Sequence, residues 1–254
     1  MQEERTDNYR SIIFDMHHNF LFDLDQTLLD FHASERKALE IVITSNGLRY
    51  TEECYDHFKA YNKSLWLELE KGMITRKELF IKRFNDIFEF CDAGHTDLDP
   101  LRVNEEFIYT MSQNGVLMEG APDLLAKLKN SIRDARCYIV SNGATINAEG
   151  RIRSTGIDRY LEKVYVSEWM GAAKPSKKFF DMVLEGVGEP KETCIVIGDS
   201  LTSDMQGAKN ASIASVWFMP EGDIETSKKI YDIDYAASSY DELYEVLLDW
   251  ASGK

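Results

Sequence analysis

The chain has 254 residues, long for one compact domain and short for three, which suits a single large domain or a core carrying a sizeable insertion. Hydrophobic residues make up 44% and charged residues 29%, a globular composition that excludes a disordered or collagen-like chain. Lys and Arg number 29 against 44 Asp and Glu, a formal net charge of −15, which repels polyanions at long range and argues against nucleic acid as a partner. The four cysteines (Cys54, Cys91, Cys137 and Cys194) have no C-x-x-C spacing and read as buried, reduced thiols. Residues 1–10 lack the basic start and apolar stretch of a signal peptide. No run reaches the ~18 apolar residues a membrane span needs. The expectation is a cytoplasmic protein without a membrane partner.

Residues 1–18 read as an N-terminal extension. Ser11–Asp15 looks like a second copy of a strand ending in Asp. A metal site from Asp15, His17 and His18 is set aside in favour of a terminal extension or an extra turn. Phe20–Phe22 is a short apolar run ending in Asp23, as in a buried strand. From about 33 to 113 the periodicity is helical. Ala38, Leu39, Val42 and Ile43 form one stripe that stops at Asn46-Gly47, and Tyr55, Phe58, Tyr61, Leu65 and Leu69 form a second that stops at Lys71-Gly72. Thr75-x-x-Glu78 is a capping box opening a third helix. Asp99-Pro100 caps a fourth, which ends at Asn114-Gly115. Four such helices can pack as a small bundle.

After residue 115, helices alternate with apolar strands. The helices are expected at 122–129, 145–155, 176–186 and 203–210, and the strands at 137–140, 164–166, 194–197 and 213–218. A last helix starts from the capping box Ser239-x-x-Glu242. Continuous apolar strands alternating with helices argue for a parallel sheet covered on both faces. The expected fold class is therefore α/β, a Rossmann-like parallel-sheet core with an inserted four-helix bundle. Residues 19–31 and 115–254 form the core, and 32–114 the insertion.

Such sheets present ligands at the carboxyl ends of their strands, and the residues found there form a short list. Asp23, Asp25 and Thr27 follow the first strand; Ser141, Asn142 and Gly143 follow the strand at 137–140. Lys174-Pro175 lies in the loop after 164–166, and Asp199 and Asp204 follow 194–197. Asp23 and Asp25 are two apart, so an extended backbone aims both the same way. Close carboxylates repel unless one is protonated or a cation lies between them, and a hard divalent ion such as Mg²⁺ suits them. A hydroxyl followed by Asn and Gly lets backbone approach a phosphate, and Lys174 adds a fixed positive charge. Each piece alone has a bland reading as turn or cap residues; all four in this order make an acidic metal pocket facing a phosphate-sized cradle.

These four segments resemble the four motifs of the haloacid dehalogenase (HAD) superfamily, and the helical insertion after the first motif resembles that superfamily's C1 cap. Tyr61-Asn-Lys-x-Leu-Trp66, Gly72-x-Ile-Thr75 and Gly171-Ala-Ala-Lys-Pro-Ser-Lys-Lys-x-Phe180-Asp181 are similar to the YjjG/YfnB-like branch of 5′-nucleotidases. Gln26 departs from the Asp, Glu or Gly frequent at its position. The resemblance implies an aspartyl-phosphate hydrolase in which Asp23 is the nucleophile and Asp25 the general acid and base. Mg²⁺ would be held by Asp23, the carbonyl of Asp25, Asp199 and Asp204. Thr27, Ser141, Asn142, Gly143 and Lys174 would bind the phosphoryl group, and the cap would close over the site and select the leaving group. In the cap, Lys63 and Trp66 are the candidates for substrate contact, against plainer readings as a solvated charge and a bundle-core aromatic.

The implied substrate is a small phosphate ester, a pyrimidine or non-standard nucleoside monophosphate, with a sugar phosphate or phosphoglycolate as the alternative. A second class is a phospho-acceptor or silent phosphate-binding module. A receiver domain needs only ~120 residues and no helical insertion, and both Asp23 and Asp25 are present, which favours an enzyme. Monomer and homodimer are both compatible with the sequence.

Overall fold

The computed structural model describes residues 18–91, 97–219 and 224–253. In chain order these form β1 (His18–Phe22), α1 (Phe31–Ser45), α2 (Glu52–Glu70), α3 (Arg76–Phe90), α4 (Pro100–Gln113), α5 (Ala121–Ser131) and β2 (Ala135–Ser141). Then follow α6 (Thr145–Thr155), β3 (Leu161–Val166), α7 (Ser167–Met170), α8 (Lys177–Val187), β4 (Cys194–Gly198) and α9 (Gln206–Ala211). The chain closes with β5 (Ala214–Phe218), α10 (Ile224–Tyr231), β6 (Tyr235–Ala237) and α11 (Tyr240–Ala251). It divides into two compact units, residues 31–116 and the remainder.

The second of these units is built on six parallel strands in the order β3-β2-β1-β4-β5-β6. Side chains alternate strictly between two cores, as the period of a strand requires. Phe20, Phe22, Ile139, Ile195, Ile197 and Phe218 meet Leu124, Leu128, Leu243 and Leu247 of α5 and α11 on one face. Leu21, Val140, Val196 and Trp217 meet Phe179, Phe180 and Val183 of α8 and Ala208 of α9 on the other. Burial on both faces explains why the strands read as unbroken apolar runs.

Strand order reverses at β1, whose neighbours are β2 and β4. Consecutive crossovers run one way from β1 to β3 and the other way from β4 to β6, which opens a crevice at the carboxyl ends of β1 and β4. β1 starts at His18, inside the segment set apart as an extension; its ring packs edge-on to Trp250. Asp15 and His17 lie outside the described residues. The helix expected at 203–210 instead opens with a π-helical turn, Leu201–Met205, because Asp204 folds back to accept a hydrogen bond from the Ser200 N–H. The strand β6 and the helices α7 and α10 were not expected from the sequence; at three, four and eight residues they are too short to show a period.

In the helical unit, α1 packs on α4, α4 on α3 and α3 on α2, around Leu39, Val42, Tyr55, Phe58, Phe84, Ile87 and Phe107. Its caps form where the sequence places them. Thr75 Oγ1 accepts from the Glu78 N–H while the Glu78 carboxylate takes the Thr75 N–H, and Asp99 accepts from the Leu101 N–H ahead of Pro100. No helix of the described residues is long and apolar enough to cross a membrane.

Candidate active site

The site is assembled at the carboxyl ends of β1, β2 and β4. The Asp23 N–H donates to the Ile197 carbonyl at 2.8 Å, extending the β1–β4 ladder one residue beyond β1 and fixing where the carboxylate starts. Lys174 arrives from the loop between α7 and α8. Its backbone is clamped by the Asn142 side chain, which donates to the Lys174 carbonyl and accepts from its N–H, both at 2.8 Å. The Lys174-Pro175 peptide is cis. An ammonium has three donors, and all are used: Nζ donates to Asp23 Oδ1 at 2.5 Å, Asp204 Oδ1 at 2.6 Å and the Val140 carbonyl at 2.8 Å. Asp204 Oδ2 accepts from the Ser200 N–H at 3.1 Å. Gly198 makes room for this carboxylate, since a Cβ there would lie 2.3 Å from Asp204 Oδ2.

Asp23, Asp199 and Asp204 each bring a carboxylate oxygen within 4.8 Å of the other two. Three carboxylates thus face one lysine. Burial pushes the Asp23 carboxyl well above its usual range; Lys174 pulls it down, while Asp204 and Asp25 push it up. Burial, reinforced by Asp204, pushes Asp199 up to about 6. For Lys174 burial alone would lower the pKa, but Asp204 and Asp23 together outweigh it and raise it. Surplus negative charge on hard oxygen donors is the chemistry a Mg²⁺-sized divalent cation relieves, so the residues present fit such an ion.

The other candidates are distributed as follows. Ser141 ends β2 in a buried position, its Oγ beside Gly143. The side chain of Asn142 is committed to the Lys174 backbone, so its side chain shapes the loop. Thr27 is wholly enclosed: its carbonyl accepts from Tyr240 Oη at 2.7 Å, and its Oγ1 has no hydrogen-bond partner among the described residues. Lys63 and Trp66 belong to the helical unit, on the exposed side of α2 beside the buried Leu65, so Trp66 is not a bundle-core residue.

Asp25 behaves differently from Asp23. The two carboxylates do not share a partner, because the extended backbone ends and a turn begins: Gln26 takes a left-handed φ of 59° and donates its N–H to the Leu29 carbonyl. That conformation is one that Gly and Asp adopt more readily than Gln. Asp25 instead receives both Nη atoms of Arg151, at 2.5 and 3.1 Å, and its carboxylate is not part of the three-carboxylate group. Arg151 was missed from the sequence. Its signal is a charged residue in the buried stripe of α6, with Ala148 and Ile152; such a position demands a partner.

Residues 18–212 match the family described as haloacid dehalogenase-like hydrolase. The chain is 35% identical to the pyrimidine 5′-nucleotidase PynA of Streptococcus pneumoniae over 79% of its own length and 83% of that protein's. It is 32% identical to the pyrimidine 5′-nucleotidase YjjG of Escherichia coli, covering 89% of this chain and 96% of the other. Its fold matches the crystal structure of the Bacillus subtilis HAD-hydrolase YfnB bound to magnesium with a TM-score of 0.76 at 29% identity, over 92% of this chain and 99% of that one. With four strand-end motifs gathered on one sheet and relatives of this similarity over most of its length, the chain belongs to the haloacid dehalogenase-like hydrolases.

Proposed function

We infer that the protein is a Mg²⁺-dependent phosphate monoester hydrolase that works through an aspartyl-phosphate and acts on nucleoside 5′-monophosphates. The observation that carries this reading is the buried Lys174 ammonium shared between Asp23 and Asp204 at the ends of β1 and β4. It supports the reading by bringing a carboxylate, a fixed cation and a surplus of acidic oxygens to one crevice. The nucleotide preference rests on the similarity to PynA and YjjG.

In this reading an Asp23 oxygen attacks phosphorus, the bond to the leaving oxygen breaks, and Asp25 gives that oxygen a proton. Water then attacks phosphorus, Asp25 takes its proton, and the bond from phosphorus to Asp23 breaks to release phosphate. The Ser141 hydroxyl and the backbone amides of Asn142 and Gly143 bind the phosphoryl oxygens, while Lys174, its three donors taken by Asp23, Asp204 and the Val140 carbonyl, balances their charge from its fixed position. Asp23, the Asp25 carbonyl, Asp199 and Asp204 would hold Mg²⁺, which supplies neutralisation of the charge shared by nucleophile and phosphate.

The test is phosphate release from pyrimidine and purine nucleoside monophosphates and sugar phosphates, with Mg²⁺ and with chelator, beside Asp23→Asn. Mg²⁺-dependent turnover favouring pyrimidine monophosphates and lost in the variant is the expected result. Turnover confined to sugar phosphates keeps the mechanism and replaces the substrate. Full activity of Asp23→Asn overturns the mechanism. Lys63→Ala and Trp66→Ala, read for KM on the same panel, test the two candidates in the helical unit.

A further inference from the structure

The Arg151 side chain is 3% exposed. Burying a guanidinium is costly unless it is paired and hydrogen-bonded, and this one is built in with care. Its Nε donates to Asn147 Oδ1 at 3.0 Å, one turn earlier on α6. Its two Nη atoms close a fork on the two oxygens of Asp25, 126 positions away in sequence. A planar guanidinium gripping a carboxylate bidentately fixes its position and also the plane of the carboxylate. Asp25 sits in a turn after the strand end, where staggered side-chain rotamers compete; its side chain is 32% exposed, against 11% for Asp23. Arg151 therefore restrains Asp25 from the protein side and leaves the other side open. A carboxylate has about four lone-pair sites, and the fork occupies two, so each oxygen keeps one for a further partner.

We propose that Arg151 is the positioning residue for Asp25, holding its carboxylate in the orientation from which it exchanges a proton with the leaving oxygen and with water. This rests on the assignment of Asp25 as the proton-transfer group. Arg151 itself makes no contact with the reacting atoms in this role. The restraint is that of a rigid fork, so lysine in its place would supply the charge without the plane.

The test compares kcat/KM, which reports steps up to leaving-group departure, for the best nucleoside monophosphate and for p-nitrophenyl phosphate, whose nitrophenolate leaves without a proton. Arg151→Met is expected to lower kcat/KM on the nucleotide by about 10–100-fold, part of what general acid–base catalysis supplies. The loss on p-nitrophenyl phosphate should be under about threefold, since that ester needs no acid. Arg151→Lys should recover part of the loss, and Asp25→Asn with Arg151→Met should be no slower on the nucleotide than Asp25→Asn alone. Mg²⁺ affinity by calorimetry should be unchanged. Equal losses on the two esters, a further loss on top of Asp25→Asn, or weakened Mg²⁺ binding would each overturn the proposal. Circular dichroism checks folding; if Arg151→Met is unfolded, Arg151→Gln carries the same comparisons. Turnover retained by Asp23→Asn would instead remove the mechanism beneath it, so the two failures are told apart.

Discussion

In the helical unit Arg83 is buried among the rings of Phe58, Phe80, Phe84 and Phe107 and donates to the side-chain oxygens of Asn62 and Asn104. Asn62 passes the link on to Glu35, donating to its Oε1 at 3.2 Å, and Tyr55 donates to the other oxygen at 3.3 Å. In the α/β unit Lys174 is equally buried but faces three carboxylates. Among the described residues the first network joins one buried cation to one buried anion through Asn62. Burial lowers Arg83 to about 10 and raises Glu35, each partly offset by the other. The second is left with an excess of negative charge. Buried charge that balances holds a fold together, whereas buried charge that does not balance marks where a ligand enters.

That contrast can be broken most severely at Lys174. Lys174→Met removes the cation shared by Asp23 and Asp204, and nucleotide hydrolysis is expected to fall by about 10³-fold or more, the scale of a lost electrostatic stabiliser. In chelator, urea unfolding of the same variant should show a loss of about 3 kcal/mol, because two buried carboxylates are left uncompensated. Arg83→Met is the counterpart in the helical unit. It strips the donor from two buried amide oxygens and should cost about 2–4 kcal/mol of stability, with kcat per folded molecule changed far less than by Lys174→Met.

A titration sharpens the same comparison. Asp199 is raised to about 6 by burial and by Asp204, above the value it has in an unfolded chain. The native state then binds more protons than the unfolded state between the two values, so this group adds stability as pH falls from 7 to 5. Asp23 and Glu35 are raised too and act in the same direction, so in chelator the thermal midpoint should gain less as pH falls from 7 to 5 in Asp199→Asn than in the unaltered protein. Mg²⁺ competes with the proton for the carboxylate, so the Mg²⁺ concentration giving half-maximal activity should rise as pH drops below about 6. The smallest expected effect is Thr75→Ala at the cap of α3, about 1 kcal/mol of stability, measured by urea unfolding, with activity unchanged.

Sheet and strand-end residues were legible because a doubly covered parallel strand is an apolar run, and its first polar residue marks its carboxyl end. Asp23, Ser141 and Asp199 could be placed that way, and the Thr75 and Asp99 caps by their local chemistry. Arg151 was not legible: its partner lies far off in sequence, and an isolated arginine on a helix looks like a solvated charge until the stripe it shares with Ala148 and Ile152 is weighed. The divergence of Asp25 from Asp23 was hidden for a different reason. Spacing by two predicts a shared direction only while the strand lasts, and the left-handed turn at Gln26 ends it. Asn142 was read as a ligand contact, yet the spacing of 32 residues to Lys174 concealed the two hydrogen bonds that occupy its side chain.

The strand order has a consequence for how the protein comes into being. β1 sits between β2 and β4, and Asn19 on β1 donates to Thr193 just ahead of β4 across 174 positions. A chain growing from the ribosome therefore completes its first strand long before the neighbour that will cover it, and Asp23 exists for most of synthesis without Lys174 or Asp204. Closing so distant a pairing is slow relative to forming the local helices in between. The acidic group is thus complete only once β4 and the turn after it are made, and a nascent chain released before β4 carries Asp23, Asp25 and Lys174 but neither Asp199 nor Asp204.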